Sequence, residues 1–451
     1  MGYKEKSITY PFLYLSKKIK KIYLSSNLYN TKISKTFDGG FEYIPHLKIF
    51  DCIAKVVDRK NKIEDYKFES VWENPNISEK NFKKLNSFFW LFSIDLKSSK
   101  KVTRSVISNW INFNKNYSFN SWEIDTLSKR ILSWIANSNS FYHEADEQFK
   151  ISFTNMIKKQ LNHLINEIES AEIVNDKMIG CSAIILGGLC FKHQFQYINF
   201  GLQILKKIID TNFDNDGFPK SRNPRHIILY LRYFIFIREI LKDTNSEIPE
   251  YLNEIIFYLG HSFDFYFNEN ENRYLFNGSH NLNITEFKRY LKEHGYKFKN
   301  KLNSIGGYLI LKNKKDKIII DFGSTPEKKY SNEYQSGVLS FEIFHDNEKL
   351  ITNCGYFQNY NHKLNILSKS TAAHSALSID DRSSCKFKKG ELGNFSLDNN
   401  LKVINKKINF DEEIWEMQGT HDGYLKEYGI LHQRNIKFIT KEFRYIGEDR
   451  I

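Results

Sequence analysis

Residues 308–322 read YLILKNKKDKIIIDF, and this stretch decides the class of the C-terminal part of the chain. Two runs of β-branched and large apolar residues flank a polar segment of Lys, Asn and Asp, which is the pattern of two strands joined by a turn. The pattern predicts an antiparallel β domain that begins at about residue 303. Further short runs of this kind lie at 338–344, 349–353, 375–380, 402–409, 414–418 and 429–440.

The apolar spacing before this stretch is helical. From about residue 75 to about residue 265, apolar residues recur at intervals of three and four, as an α-helix with one buried face requires. Helices that precede the strands, instead of alternating with them, indicate segregated domains. One example of the helical spacing is the set Ile151, Met156, Leu161, Leu164, Ile165 and Ile168.

The change of pattern divides the chain into three parts. We predict a mixed N-terminal extension over 1–74, a helical domain over 75–295 and a β domain over 303–451, with the boundary in the Lys-rich stretch 288–301. A strand-like pattern still runs through residues 438–451, which predicts that the β domain is truncated at its C-terminal end.

The chain is basic, with a formal net charge of +13. Such a surface attracts polyanions, which include nucleic acid, anionic membrane and acidic glycan, and charge alone does not choose among them. The run Lys17–Lys21 is a basic patch for which a solvated face is the default and contact with a membrane surface is the alternative.

The cysteines and the apolar runs exclude several classes of protein. The five cysteines are scattered without CxxC spacing, which argues against a disulfide framework or a zinc site. No apolar run is long enough to predict a membrane span. The N-terminal stretch has no signal-peptide pattern, which favours a cytoplasmic location over a periplasmic one.

Four stretches, in this order along the chain, resemble the heparinase II/III-like family. The first is Asp216-Gly217 followed by SRNP at 221–224, and the second joins IIDFG at 319–323 to GVLSFE at 337–342 and LITNCG at 350–355. The third is SKSTAAHSALSIDD at 368–381, and the fourth is GTHDGY at 419–424 with HQR at 432–434. The resemblance covers roughly residues 75–451. It implies an α+β multidomain protein, with an incomplete α/α toroid followed by an antiparallel β-sandwich.

The resemblance also implies a chemistry, the β-elimination of a uronate-containing acidic polysaccharide. This reaction needs a donor that neutralises the sugar carboxylate, a base for the C5 proton and an acid for the departing O4. Asn223 matches the carboxylate-neutralising residue, although Asn before Pro224 is also a good helix cap. His374 and Tyr334 are the candidates for proton transfer. The candidate substrate-binding residues are Arg222, Arg225, Gln335, His421, Tyr424 and His432.

One position departs from the family. Relatives carry a His as base before the GVLSFE stretch, whereas this chain has Gln335, which is not a base at neutral pH. The family's catalytic Tyr has no clear counterpart, with Tyr274 and His280 both nearby. We expect Asn223 and His374 to face a common cleft at the junction of the two domains.

Three functions remain open. The leading one is a polysaccharide lyase, and the second is a non-catalytic acidic-glycan-binding protein that keeps the lyase fold, which Gln335 favours. The third is a nucleic-acid binder, which is supported only by the basic charge, because the sequence has no recognition motif. No cofactor is expected, and the sequence does not support a structural metal in the β domain. The sugar, the bond, endo or exo action and the oligomeric state are left open.

Overall fold

The computed structural model describes residues 9–35, 37–54, 72, 77–96, 99–171, 173–191, 194–267, 274–279, 284–390 and 394–451. The chain forms two compact units. The first unit comprises Met1–Ile208 with Arg232–Pro249, and the second comprises Ile209–Leu231 with Glu250–Ile451. The predicted domain limits stay a prediction. Much of the predicted extension over 1–74, and His280, lie outside the described residues.

Helices occupy the chain up to residue 293. Their bounds are α1 Thr9–Leu24, α2 Asn27–Ile33, α3 Glu79–Asn86, α4 Lys100–Phe113, α5 Ile124–Asn137, α6 Glu147–Glu167, α7 Val174–Cys190, α8 Phe195–Asn212, α9 Pro224–Asp243, α10 Glu250–Phe267 and α11 Thr285–Glu293. The helical pattern predicted from about residue 75 is therefore present.

Helix α6 illustrates why these segments are helical. The Asp146 side chain accepts a hydrogen bond from the backbone N–H of Phe149, as an N-cap does. Phe149, Phe153 and Leu161 are buried along one face. The Ile151 side chain lies on the opposite face and is 59% exposed.

Within the described residues, the strands form two larger antiparallel sheets and a small one. The first has the order β1 Ser304–Ile305, β2 Tyr308–Lys312, β3 Asp316–Asp321, β4 Phe341–His345 and β5 Glu348–Ile351. The small sheet pairs β6 Phe387–Lys389 with β7 Phe395–Leu397. The third has the order β11 Arg444–Arg450, β10 His432–Ile439, β9 Ile414–His421 and β8 Val403–Phe410.

The two larger sheets share one core, as a β-sandwich does. Leu309 and Ile318 of the first sheet join Met417 and Phe438 of the other in a single buried cluster. Short helices α12 Lys363–Lys369 and α13 Leu425–Tyr428 lie between the strands. The strand predicted at 375–380 was wrong, because this stretch has only an isolated bridge between Ile379 and Arg382.

Strands β2 and β3 are buried on both faces, which explains their nearly continuous apolar sequence. Leu309 and Ile318 point into the core between the sheets. On the other face, the Tyr308 ring lies edge-on to the rings of Tyr266 and Phe276. The hairpin is therefore enclosed within the second unit.

A buried ion pair fastens the segment before α9 to this outer face. Arg222 Nη2 lies 2.6 Å from Asp321 Oδ1, and both side chains are almost fully buried. Asn277 Nδ2 donates to the other oxygen of Asp321, and the Tyr308 hydroxyl donates to the Arg222 carbonyl. Because Arg222 also has a left-handed backbone with φ of 56°, its conformation is held by these partners. The residue that follows is Asn223.

We expect the substitution Arg222→Met to lower the free energy of unfolding by about 3–5 kcal/mol, because it leaves the Asp321 charge buried without its partner. Denaturant unfolding of the full chain measures this loss. The matched control is Lys441→Met, which removes an ion pair with Glu413 whose side chains are 75% and 65% exposed. We expect this substitution to leave the free energy of unfolding nearly unchanged, because exposed ion pairs are weak. Equal effects of the two substitutions would contradict the structural role of Arg222.

Candidate functional site

Asn223 lies at the start of α9 and has two separate partners. Its Oδ1 accepts a hydrogen bond from the backbone N–H of Arg225 at 3.0 Å, so it caps the helix as the sequence suggests. Its Nδ2 donates to Glu333 Oε2 at 2.5 Å. The amide that the family resemblance assigns to a sugar carboxylate therefore holds a carboxylate of the protein itself.

Two further donors surround the Glu333 carboxylate. His226 Nε2 lies 3.4 Å from Oε2, and Arg225 Nη1 lies 3.9 Å from Oε1. We call Asn223, Arg225, His226 and Glu333 the carboxylate cluster. The Glu333 side chain is 35% exposed, so the cluster reaches the protein surface.

The cluster keeps Glu333 ionised. Burial by itself raises the pKa of this carboxyl, but the hydrogen bond from His226 and the charges of His226, Arg225 and Lys369 lower the pKa to about 2. The site therefore stabilises a negative charge strongly. This is the property that a binding site for a sugar carboxylate requires.

The imidazole of His226 is held from its other side. Ser221 Oγ lies 2.8 Å from Nδ1, which leaves Nε2 facing Glu333. His226 lies three residues after Asn223, in the first turn of α9, and its backbone N–H donates to the Asn223 carbonyl at 3.0 Å. The helix start thus presents an amide and an imidazole to the same carboxylate.

Gly278 is required next to Asn223. Its φ is +79°, and a Cβ at this position would lie 2.4 Å from Asn223 Nδ2. Only glycine gives both this backbone conformation and this approach. The Gly278 carbonyl also lies within 3.5 Å of Arg225 Nη1, so the loop forms one side of the cluster.

Gln335, at the expected position of the base, is a buried structural residue. Its Oε1 accepts from the backbone N–H of Gly278 at 3.1 Å. Its Nε2 donates to the carbonyls of Gly355 at 3.0 Å and Ser368 at 2.6 Å. The side-chain amide therefore supports the Gly278 loop, and these contacts leave it little capacity for the predicted contact with substrate.

The guanidinium of Arg222 is likewise fully engaged in contacts within the protein. Besides the ion pair with Asp321, its guanidinium donates to the carbonyls of Gly306, Gly307 and Ser324. This burial is at odds with the predicted contact between Arg222 and substrate. Arg225 is the arginine of this stretch that lies at the carboxylate cluster.

The two residues proposed for proton transfer are both buried. The Tyr334 ring belongs to the core between the sheets, and burial raises its pKa well above the usual range, which does not suit a base. His374 Nδ1 lies 2.8 Å from the Ser370 carbonyl, so Nδ1 carries a proton and Nε2 is the basic nitrogen. Burial lowers the pKa of His374 to about 4. Asn223 and His374 lie in the same unit but have different partners, so their common cleft stays a prediction.

The predicted C-terminal candidates form an internal network. His421 Nε2 lies 2.9 Å from His432 Nδ1, and His432 Nε2 lies 2.7 Å from Asp449 Oδ1. Burial lowers the pKa of His421 to about 3. The Tyr424 hydroxyl donates to the Leu377 carbonyl at 2.7 Å. All three candidates are buried, and these contacts tie strands β9, β10 and β11 together instead of forming an open binding surface.

His226 and Glu333 are the residues that sequence reasoning missed. His226 stands in the stretch SRNPRH, and its place in the turn after Asn223 was the available signal. Glu333 stands two residues before Gln335, but no spacing links it to Asn223. Of the two residues near the predicted catalytic Tyr, Tyr274 is buried with its ring edge-on to Phe344.

Among the described residues, no three His, Cys, Asp or Glu side chains lie close enough together to hold a metal ion. In the same part of the chain, no helix combines the length and the apolar character that a bilayer span needs.

The fold of this chain is similar to the folds of several solved structures. The crystal structure of a heparinase III matches 90% of this chain and 71% of its own, at 16% identity and a TM-score of 0.64. A heparinase III with methylated lysines matches 90% of this chain and 70% of its own, at 13% identity and a TM-score of 0.62. The heparan sulfate lyase HepC from Pedobacter heparinus matches 89% of this chain and 68% of its own, at 14% identity and a TM-score of 0.57. The fold is thus polysaccharide lyase-like, and the predicted α/α toroid followed by a β-sandwich is confirmed.

The family follows from the sequence. Residues 301–451 match the model described as Heparinase II/III-like, C-terminal, which confirms the predicted resemblance to the heparinase II/III-like family for this segment of the chain. A search of curated proteins found no match.

We expect Glu333→Gln to lower the free energy of unfolding at pH 7 by about 1–2 kcal/mol, a charge-assisted hydrogen-bond value discounted for solvent screening. The ordinary pKa of 4.5 falls to about 2 in the fold, so ionisation of Glu333 stabilises the protein above pH 4.5 and this contribution is lost as the pH falls towards 2. Denaturant unfolding at pH 7 and at about pH 3 should therefore show a difference that narrows in acid. Glu327→Gln, at a carboxylate 66% exposed, is the control. A difference that does not change with pH would contradict the assigned ionisation.

Proposed function

We propose that this polysaccharide lyase-like protein binds a uronate-containing acidic polysaccharide at the carboxylate cluster and cleaves it by β-elimination. The observation that carries the proposal is the Glu333 carboxylate, held by the Asn223 amide at 2.5 Å with Arg225 and His226 beside it. A uronate presents the same group. On binding, the sugar carboxylate takes the place of Glu333, which turns towards solvent from its partly exposed position.

The cluster suits the first step of an elimination. Donation from Asn223 and the charge of Arg225 withdraw electron density from the sugar carboxylate, which makes the C5 proton more acidic. His226 Nε2 lies 3.4 Å from the carboxylate oxygen of Glu333. Because C5 is bonded to the carboxylate carbon, a base at this position is within reach of the C5 proton. We therefore assign the role of base to neutral His226, whose Nδ1–H is donated to Ser221 Oγ once Glu333 has turned away. The C5–H and C4–O4 bonds break as the C4–C5 double bond forms, Nε2 takes the C5 proton, and the departing O4 takes a proton from solvent water.

A second candidate function is glycan binding without catalysis. It is favoured by Gln335, whose three hydrogen bonds make it a structural residue at the position of the family's base. It is also favoured by the ionised Glu333, which competes with the sugar carboxylate for Asn223. In this case the protein binds the glycan at the same cluster and releases no product.

The discriminating measurement is the ultraviolet absorbance of the unsaturated uronate that elimination creates. Heparan sulfate, from which the structural relative HepC takes its name as a lyase, is the first substrate to test, with an unsulfated uronate polysaccharide second and a neutral glucan as control. A rise in absorbance supports the lyase. Binding by calorimetry without that rise supports the second candidate, and the absence of both excludes this site as a glycan site.

Two substitutions separate binding from chemistry. Asn223→Ser keeps a helix-capping oxygen but removes the amide donor, so we expect affinity to fall about tenfold to a hundredfold, the range for a hydrogen bond to a charged group. His226→Gln should leave affinity within a few-fold and reduce the rate of elimination by about 10²–10⁴. Asn409→Ser and His143→Gln, at exposed positions, are the matched controls. Elimination that survives His226→Gln would overturn the assignment of the base.

We expect affinity for the acidic glycan to fall as salt rises and affinity for a neutral glycan to be absent or much lower. Exposed basic contacts contribute about 0–1 kcal/mol each and are screened over about 10 Å at 0.1 M salt. Titration calorimetry of both glycans at two ionic strengths tests this. Equal, salt-independent affinities would rule out the electrostatic account, and tight binding to nucleic acid instead would favour the third function predicted from charge.

A further inference from the structure

Helix α1 has the sequence TYPFLYLSKKIKKIYL over Thr9–Leu24, with four lysines and no acidic residue. The structure describes the side chains from Leu15 onwards. From Leu15 to Tyr23 every side chain is exposed, and Leu24 is buried at the C-terminal end of the helix. Short helices are marginal in water unless packing stabilises an apolar face. Among the described side chains of this helix, burial is confined to Leu24.

The exposed apolar residues of α1 form one continuous face. Leu15 is 53% exposed, Ile19 58%, Ile22 64% and Tyr23 45%. Their spacing of four, three and one residues places them on the same side of a helix. In a globular protein such a face normally packs on a core, so its exposure marks an interaction surface.

The lysines lie on the remaining side of the helix. Lys17, Lys18, Lys20 and Lys21 are all exposed. Lys20 Nζ lies 2.6 Å from Glu167 and 2.8 Å from Ser170 Oγ, and Lys21 Nζ lies 4.6 Å from the centre of the Phe119 ring. These contacts anchor Lys20 and Lys21 to the first unit, while both side chains stay exposed beside the apolar face.

Charge decides between the possible occupants of this face. A second copy of α1 would set two helices with four lysines each against one another, and α1 itself has no acidic residue to pair them, so self-association is opposed. A polyanion such as an acidic glycan would meet the lysines but would leave the apolar face in water. An anionic bilayer satisfies both, because the apolar side chains enter the acyl boundary while the lysines meet the lipid headgroups.

We propose that α1 docks this protein in the plane of an anionic lipid surface through Leu15, Ile19, Ile22 and Tyr23. The site differs from the carboxylate cluster, and the proposal does not depend on the function of that cluster. Under this proposal, the Lys17–Lys21 run contacts a membrane surface and does not form a solvated face, which is its default interpretation.

The test is flotation of the full chain with vesicles of phosphatidylcholine alone and of equal parts phosphatidylcholine and phosphatidylglycerol. We expect the protein to float with the anionic vesicles, to stay behind with the neutral ones, and to be released as salt rises. The double substitution Ile19→Gln with Ile22→Gln should reduce the bound fraction at least about tenfold, because two buried apolar side chains are lost from the bilayer. Because both side chains are exposed, thermal unfolding in the absence of vesicles should be unchanged.

The matched control is Ile151→Gln, an isoleucine 59% exposed on α6 of the same unit, which should float as the unmodified chain does. The proposal is overturned if the unmodified chain fails to float, if neutral and anionic vesicles bind equally, or if Ile151→Gln has the same effect as the double substitution. Sedimentation velocity tests whether the apolar face binds a second copy of the chain instead. A dimer that the double substitution dissociates, without flotation of the unmodified chain, would assign the face to a second copy instead.

Discussion

The buried ion pair between Arg222 and Asp321 fixes the geometry on which the candidate site depends. Both charges are removed from water, which costs desolvation free energy. Their electrostatic attraction at 2.6 Å offsets this cost, whereas either charge buried without the other would be strongly destabilising. Asn277, Tyr308 and three backbone carbonyls satisfy the remaining donors and acceptors. Because Asn223 follows Arg222 directly, the position of its amide is set by this buried pair of charges.

The carboxylate cluster shows how a site can be built from residues that differ from the family's expected set. The position of the expected base is taken by Gln335, which supports the Gly278 loop, and that loop in turn packs against Asn223. The negative charge at the site comes from Glu333, and its pKa of about 2 reports how strongly the neighbouring donors favour a carboxylate. The amide, the imidazole and the guanidinium are arranged around the Glu333 carboxylate.

Much of the fold could be predicted from the sequence because its signals are local. The apolar runs at 308–311 and 317–322 became β2 and β3, and Asn before Pro224 became the cap of α9. The site could be predicted only in part, because burial depends on distant segments. The sequence of Tyr334 and Gln335 does not reveal that one ring enters the core and that the neighbouring amide binds three backbone groups. Asn223 and Glu333 are 110 residues apart, and their contact exists only after the second unit has folded.

The double-sided burial of β2 and β3 means that the segment matched by the family model is not structurally self-contained. Residues 301–451 match the family model as a block, but the outer face of the hairpin is covered by Phe218, Tyr266 and Phe276, which come from earlier in the chain. If the block were transplanted alone, it would carry a bare aromatic and aliphatic surface and an orphaned Asp321. The segment that the family model matches therefore cannot bury its own apolar surface, and residues from earlier in the chain complete its fold.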